Sequence, residues 1–597
     1  MNPNQLFADA RARLDRGDAS GALAVLDPLT AAVGPHPAIL HLAAMAQRTL
    51  GDLTAAEGSF RQAMALPGHP RDPVLLTNAA SLFEAVGKTD EALALLDEAA
   101  GLAPQAEDIQ LARLAAIRRH RGDDAAEAAW QVSLRTQPQS ASLHHHHALF
   151  LRDASRSRDA LAAIDRALEL APGSANARQL RARLLLDLGE PATGEFLALR
   201  DSSADRGDVA KGLAASLAAE GRADEALADL DVFLSEHPER IDVARTRYSM
   251  AAQFYDAATA ERALAGLAAA KPTVPDLALL LVGMVWRARG AGEASAALDA
   301  AALDEALPAV RFQRAEMASE LGDLARADTI FEALEPHFAT APPAVAMAQV
   351  RHQFRAARIE LAASLAHRLA RESGLMEAWA HVETGWRLLE DPRWAWLTGD
   401  GGLAQAWPVS TFTDYRDDLI ALLRRLHAPI RNHPVEQSPR GGTQTDGVLL
   451  SRDDPALRAY RDDVRTCVSN YLAGLPELGD EHPLTLARQR HLRFAGSWSI
   501  RLTGEGYHTA HFHNEGVISS ASYIVLPDEV ARGGGEKRGW IEFGRPAANL
   551  GLDVAPFAAI QPEVGSLALF PSFFWHGTRP FGQGERMTIA FDIAPVA

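Results

Sequence analysis

The chain has 597 residues, 47% hydrophobic and 23% charged, with a formal net charge of −18 and a single cysteine. Such a length exceeds one ordinary core, so two or more domains are expected, and the composition is globular rather than disordered. The acidity argues against a nucleic-acid backbone as partner, lone Cys467 excludes an intrachain disulfide or a cysteine zinc site, and no apolar run approaches the roughly 20 residues of a membrane span.

The opening stretch MNPNQLFADARARLDRG has neither a basic nor an apolar leader, so the expected location is the cytoplasm. Residues 401–597 hold 22 acidic against 19 basic side chains, so most of the negative charge lies in the first 400 residues. Such acidity usually marks a solvated face and less often a groove for a basic partner.

Residues 1–375 are rich in Ala and Leu at helical spacing, and they repeat. Gly17, Gly51, Gly87, Gly122, Ser155, Gly189 and Gly221 follow one another at 34, 36, 35, 33, 34 and 32 residues. Counted from Gly87, small residues fall at Ala92 and Ala99 and a proline at Pro104; from Ser155 they fall at Ala160, Ala167 and Pro172. From Gly221 come Ala226 and Pro238, with Phe233 between them, and Ala327 stands at the same offset from Gly322. Small residues at these offsets let two helices of a hairpin approach closely, and proline ends the second. FRAARIELAASLAHRLA (354–370) reads as the last of about ten units. A period near 34 resembles the tetratricopeptide repeat, which implies a stacked solenoid whose groove takes a protein or peptide. The four consecutive histidines His144–His147 fall inside a first helix, where helix surface and packing account for them better than a metal does.

Residues 376–414 hold five of the ten tryptophans, Trp379, Trp386, Trp394 and Trp396 close together and Trp407 after them, and read as a joint rather than a polar linker. A substrate platform is the sharper alternative. Beyond it, DYRDDLIALLRRLHAP and PALRAYRDDVRTCVSNYLAGL predict amphipathic helices, with the polar loop Arg440–Thr445 between them at the mouth of the following domain. HLRFAGSWSIRLTGEGYH predicts a strand with Trp498, Ile500 and Leu502 on one face. Asp528–Gly539, rich in Gly and charge, predicts a mobile entrance loop, and LGLDVAPFAAIQPEVG a connection.

The last 90 residues carry the chemistry. His511 and His513 stand two apart, so a strand would turn both to one face. His576 ends the apolar run SLALFPSFFWH, and a barrel joining the two runs would add a third ligand to one ion. Three protein ligands on one side leave positions open for substrates. The order His-x-His, ISSASYIVLP, GWIEF, PEVGSLALFPSFFWH, ERMTIAFDI resembles the Fe(II)/2-oxoglutarate-dependent oxygenases of the prolyl-hydroxylase-like, double-stranded β-helix superfamily, over roughly the last 180 residues. The resemblance implies Fe(II), 2-oxoglutarate and O2, with Arg586 pairing the far carboxylate of 2-oxoglutarate and Thr588 donating a hydroxyl to it. An arginine fork suits a carboxylate. Most such proteins have His-x-Asp or His-x-Glu. Here the ligands are His511, His513 and His576, or His513, Glu515 and His576, or His511 and His576 alone; the distance from His511 to the YIVLP strand favours the first.

The expected fold class is multidomain: an N-terminal all-α tetratricopeptide solenoid (1–375), the Trp-rich connection (376–414), and a C-terminal double-stranded β-helix (jelly-roll) with buttressing helices (415–597). The expected function is hydroxylation of a protein or peptide recruited by the solenoid. Two rivals stand beside it: a three-histidine cupin-type dioxygenase or isomerase that does not use 2-oxoglutarate, and an adaptor whose barrel is inert.

Overall fold

The structure is a computed structural model, and it describes residues 2–200, 206–338, 342–445, 448–489, 491–533 and 535–596. From Pro3 to Ser373, helices of about four turns alternate in antiparallel hairpins. The turn residues picked out by the 34-residue period share a positive φ. Gly17, Gly51, Gly87, Gly122, Gly189 and Gly221 have φ between 77° and 88°, and Ser155 adopts φ 59° in the same role. Left-handed backbone ends a helix at little cost when the residue is glycine. Proline opens the first helix of six hairpins, at Pro3, Pro37, Pro73, Pro275, Pro308 and Pro343, where its missing N–H has no partner to lose. The small residues expected inside the hairpins are buried: Ala92, Ala99, Ala160, Ala167, Ala226 and Ala327 are all at most 2% exposed.

The chain forms two compact units, one of residues 1–147 with 169–172 and 596–597, the other of 148–168 and 173–595. The first holds four hairpins, from Pro3–Asp15 to the helical run Glu107–Thr136, which Gly122 divides in two. His147 is buried there against Trp130, with its Nε2 3.2 Å from Glu127, as a packing residue.

The second unit combines later hairpins with the whole C-terminal region. Its hydrophobic core is continuous from Met347 on helix Pro343–Arg355 to Ile593. The Trp-rich segment lies inside this core: Met376–Leu388 packs on Ile359–Ser373, and Arg393–Thr398 follows. Trp379 and Trp386 are buried. Trp394 Nε1 donates to Glu383 at 2.8 Å and Trp396 Nε1 to Leu478 O at 2.7 Å, so these side chains join and do not form a platform. Further ties explain why the compact unit extends so far into the repeats. Asn432 N and Arg431 N both donate to Gln253 O, Glu436 pairs with Arg245, Arg465 donates to Ala154 O, and Arg355 donates to Asn549 O.

Among the described residues nine strands make two antiparallel sheets. They are β1 (Gln405–Pro408), β2 (Pro439–Gln444), β3 (Leu492–His508), β4 (Ile518–Val525), β5 (Ile541–Phe543), β6 (Ala558–Ile560), β7 (Ser566–Pro571), β8 (His576–Thr578) and β9 (Arg586–Pro595). The larger sheet runs β1-β7-β4-β9-β3-β2 and the smaller β6-β5-β8. The helices Phe412–His427 and Pro455–Gly474 buttress the region as expected, contributing Leu419, Leu423, Leu457 and Tyr460 to its core. The polar loop expected at Arg440–Thr445 is mostly strand β2. A bulge between Arg440 and Gly442, with Gly441 at φ 79°, lets its small residues pair with β3. Asp528–Gly539 contains a short helical turn, Asp528–Ala531, and a 3-10 turn, Gly535–Lys537; Gly534 lies outside the described residues.

Candidate metal centre

His511 and His513 do not sit on a regular strand. They lie on the extended segment between β3 and β4, which runs antiparallel to residues 572–576 and alternates as a strand would. His511 N donates to His576 O at 2.9 Å, His576 N to His511 O at 2.8 Å, and His513 N to Ser572 O at 3.0 Å. Phe512 therefore turns the other way, onto Trp575 at 4.8 Å between ring centroids. Close approach needs a glycine at Gly577, where a Cβ would meet His508 O at 3.0 Å.

The three imidazoles converge. Ring centroids are 4.1 Å apart for His511 and His576, 5.2 Å for His511 and His513, and 5.1 Å for His513 and His576. One ligand atom from each lies within 4.8 Å of the others, and among the described residues this is the group able to hold a metal ion. Glu515, the alternative second ligand, is exposed and outside the group. All three rings are anchored through Nδ1. Nδ1 bonds Thr509 O at 2.8 Å in His511, Phe574 O at 2.9 Å in His576, and Asp592 at 2.7 Å in His513. A carbonyl or carboxylate on Nδ1 fixes the proton there and leaves the Nε2 lone pair for a metal.

The electrostatics keep His511 and His576 neutral. Burial, then the charge of His513, brings His511 down to about 3, and burial holds His576 well below the ordinary histidine range. Burial also lowers His513, but the Asp592 carboxylate more than offsets it and the group is raised.

A cavity of about 50 Å³ joins this cluster to Arg586 and Thr588. On β9 alternate residues face one way, so Arg586, Thr588 and Ala590 all line it. Arg586 is 2% exposed. Its Nη1 donates to Gly539 O at 2.9 Å, its guanidinium lies 5.6 Å from the Tyr523 ring centroid, and its Nε has no partner among the described residues. Burial lowers its pKa, since no carboxylate compensates the charge. A buried guanidinium with an orphaned N–H beside three imidazoles fits a small dianion and a cation together. The donor set thus fits Fe(II) and 2-oxoglutarate.

Sequence reasoning missed several wall residues. Ser438 Oγ lies 3.1 Å from both His511 Nε2 and His508 Nδ1, and Ser520 and Thr578 also line the cavity, whereas Gln444 lines it from the segment expected at the mouth. Trp498 and Ile500 do face it, as the alternation in β3 predicts. Asp592 was also missed, although it continues the β9 alternation.

Residues 496–592 match the model of a family described as "Putative 2OG-Fe(II) oxygenase". No curated protein matches the chain. Solved structures similar to it include a tetratricopeptide repeat protein from Parabacteroides merdae, 18% identical over 47% of this chain and 98% of that one, with a TM-score of 0.27. The C-terminal part of a TPR repeat-containing protein from Cytophaga hutchinsonii is 14% identical over 46% and 99%, at 0.29. YrrB, titled a TPR protein with an unusual peptide-binding site, is 20% identical over 31% and 95%, at 0.25. Among the described residues no helix is long and apolar enough to cross a membrane. The 34-residue helical hairpins and the family match on the segment bearing the histidine cluster make this chain a fusion of tetratricopeptide-type repeats with a C-terminal 2OG-Fe(II) oxygenase-like domain.

Proposed function

We propose that the C-terminal region is an Fe(II)- and 2-oxoglutarate-dependent dioxygenase that hydroxylates a side chain of a protein or peptide held by the helical repeats. One observation carries the reading: three imidazoles with Nδ1 already bonded share a cavity with a buried guanidinium that has no carboxylate partner. His511, His513 and His576 would hold the metal through Nε2. Arg586 would receive the far carboxylate of 2-oxoglutarate and Thr588 would donate its hydroxyl to it. Bound iron with 2-oxoglutarate and dioxygen supplies a two-electron oxidation, in which 2-oxoglutarate becomes succinate and carbon dioxide and one oxygen atom enters a substrate C–H bond.

The chain's own residues do the rest. Ser438 gives up its bond to His511 Nε2 when that lone pair is needed. Trp498, Ile500 and Ala590 wall the cavity against water, which strengthens the guanidinium–carboxylate attraction. We take residues 1–375 as the recruiting array, 376–414 as the connection and 415–597 as the oxygenase, in a cytoplasmic protein.

The test is an anaerobic titration of the full chain with Fe(II) and 2-oxoglutarate, followed by exposure to oxygen. A 2-oxoglutarate-dependent visible absorption band and succinate formation are expected. Absence of both favours the adaptor; turnover that ignores 2-oxoglutarate and survives Arg586→Ala favours the cupin-type enzyme.

A further inference from the structure

A divalent cation and the Arg586 guanidinium would share one buried cavity, and none of the described residues lining it is acidic. A carboxylate nevertheless stands directly behind one of the imidazoles. After Arg586, Thr588 and Ala590, the next residue on the same face of β9 is Asp592, and both its oxygens lie within hydrogen-bond distance of His513 Nδ1, at 2.7 and 2.8 Å. Asp592 is 4% exposed. Its cross-strand neighbour Ser519 donates to Oδ1 at 2.7 Å, and the Ser519 hydroxyl lies 2.9 Å from that of Ser572. Ser572 O accepts the His513 N–H, so backbone and side chain of His513 are held by one connected group.

The other two imidazoles donate to neutral backbone carbonyls. His513 alone among the three has a charged acceptor. A carboxylate on Nδ1 raises the basicity of Nε2 and puts a full negative charge one ring away from the cation position. The fixed geometry on both sides of Asp592 keeps that charge from turning away.

We propose that Asp592 is a positioning residue which, acting through His513, supplies the negative charge that selects and tightens binding of a divalent cation at the three imidazoles. The proposal rests on the three-histidine reading above.

Co(II) serves as the probe in the full-length chain, because its visible ligand-field absorption reports binding without turnover. Asp592→Asn keeps an acceptor for Nδ1–H and removes only the charge. It is expected to weaken Co(II) binding about 10- to 100-fold, the range found for partners of metal-bound histidines. Asp592→Glu is expected to recover part of the loss, while the melting temperature of metal-free Asp592→Asn stays near that of the parent. Co(II) binding by Asp592→Asn within threefold of the parent overturns the proposal. Should that variant fail to fold, Ser519→Ala, which frees the carboxylate from its hydroxyl tether, is measured instead; a several-fold loss is expected, and unchanged affinity overturns the proposal. No absorption band in the parent chain itself would count against the three-histidine reading, and with it this proposal.

Discussion

Replacing Arg586 with methionine should move stability and ligand binding in opposite directions. The guanidinium is 2% exposed, with one hydrogen bond to Gly539 O and an orphaned Nε, so the metal-free chain carries an uncompensated buried charge. Apolar replacement of buried ionic groups is often neutral or stabilising by about 1–4 kcal/mol. Loss of the bond to Gly539 O takes back about 1 kcal/mol, leaving the ligand-free variant at least as stable as the parent. Binding of 2-oxoglutarate should suffer. Two charge-assisted hydrogen bonds at about 1.5–3 kcal/mol each amount to about 3–6 kcal/mol, or about 10²- to 10⁴-fold in affinity. Arg586→Lys, which keeps the charge and loses the fork, should fall between them. The assays are urea unfolding of the metal-free chain and calorimetric titration of 2-oxoglutarate into the Mn(II)-loaded chain. A loss under tenfold in Arg586→Met, or destabilisation of its metal-free form by several kcal/mol, would refute the reasoning.

His511→Ala and His576→Ala should weaken metal binding at least tenfold by equilibrium dialysis, while exposed Glu515→Ala should leave it within twofold; the reverse pattern would restore the acidic ligand. Gly516→Ala would set a Cβ 3.0 Å from both the Asp592 Cβ and Ile593 O, so it should cost about 1–3 kcal/mol in urea unfolding and weaken metal binding. Burial brings His381 down to about 3 and His427 and His482 to about 4, against an ordinary 6.5. Their folded pKa values are depressed, so this stability is complete above pH 6.5 and is lost as the pH falls from there toward 4 and 3. Glu383, pushed up to about 7 by burial, works oppositely, its contribution being present below 4.5 and lost as the pH rises through about 7. Near pH 5.5 these four groups leave the unfolded chain about two protons richer, so they alone should raise metal-free stability by about 3 kcal/mol per pH unit. A flat profile in urea unfolding between pH 5 and 6 would contradict this.

The repeats were legible because their punctuation is a backbone requirement. A residue that must adopt φ near 80° is usually glycine, and glycines at a constant interval are visible without any contact information. Ser155 could be placed by the same count despite its side chain. The three histidines and Arg586 were legible through spacing and family pattern together. Their environment was not. Ser438 reaches His511 from a segment 73 residues earlier in the chain, held in place by bonds from Asn432 to Gln253 and from Arg245 to Glu436, and no local pattern encodes such a tie. Trp379 and Trp386 looked like a joint or a platform from density alone; the continuous core from Met347 to Ile593 shows them as packing. Asp592 did leave a trace. Arg586, Thr588, Ala590 and Asp592 occupy alternate positions of one strand, so a face carrying the first two also presents the last.

X-ray absorption of the Fe(II)-loaded, 2-oxoglutarate-free chain tests the central claim most directly, since scattering from imidazole rings counts the histidines bound to the metal. The account predicts three, reduced to two in each of His511→Ala, His513→Ala and His576→Ala. A spectrum fitted by oxygen ligands with one imidazole or none, or a count unchanged by those substitutions, would contradict it.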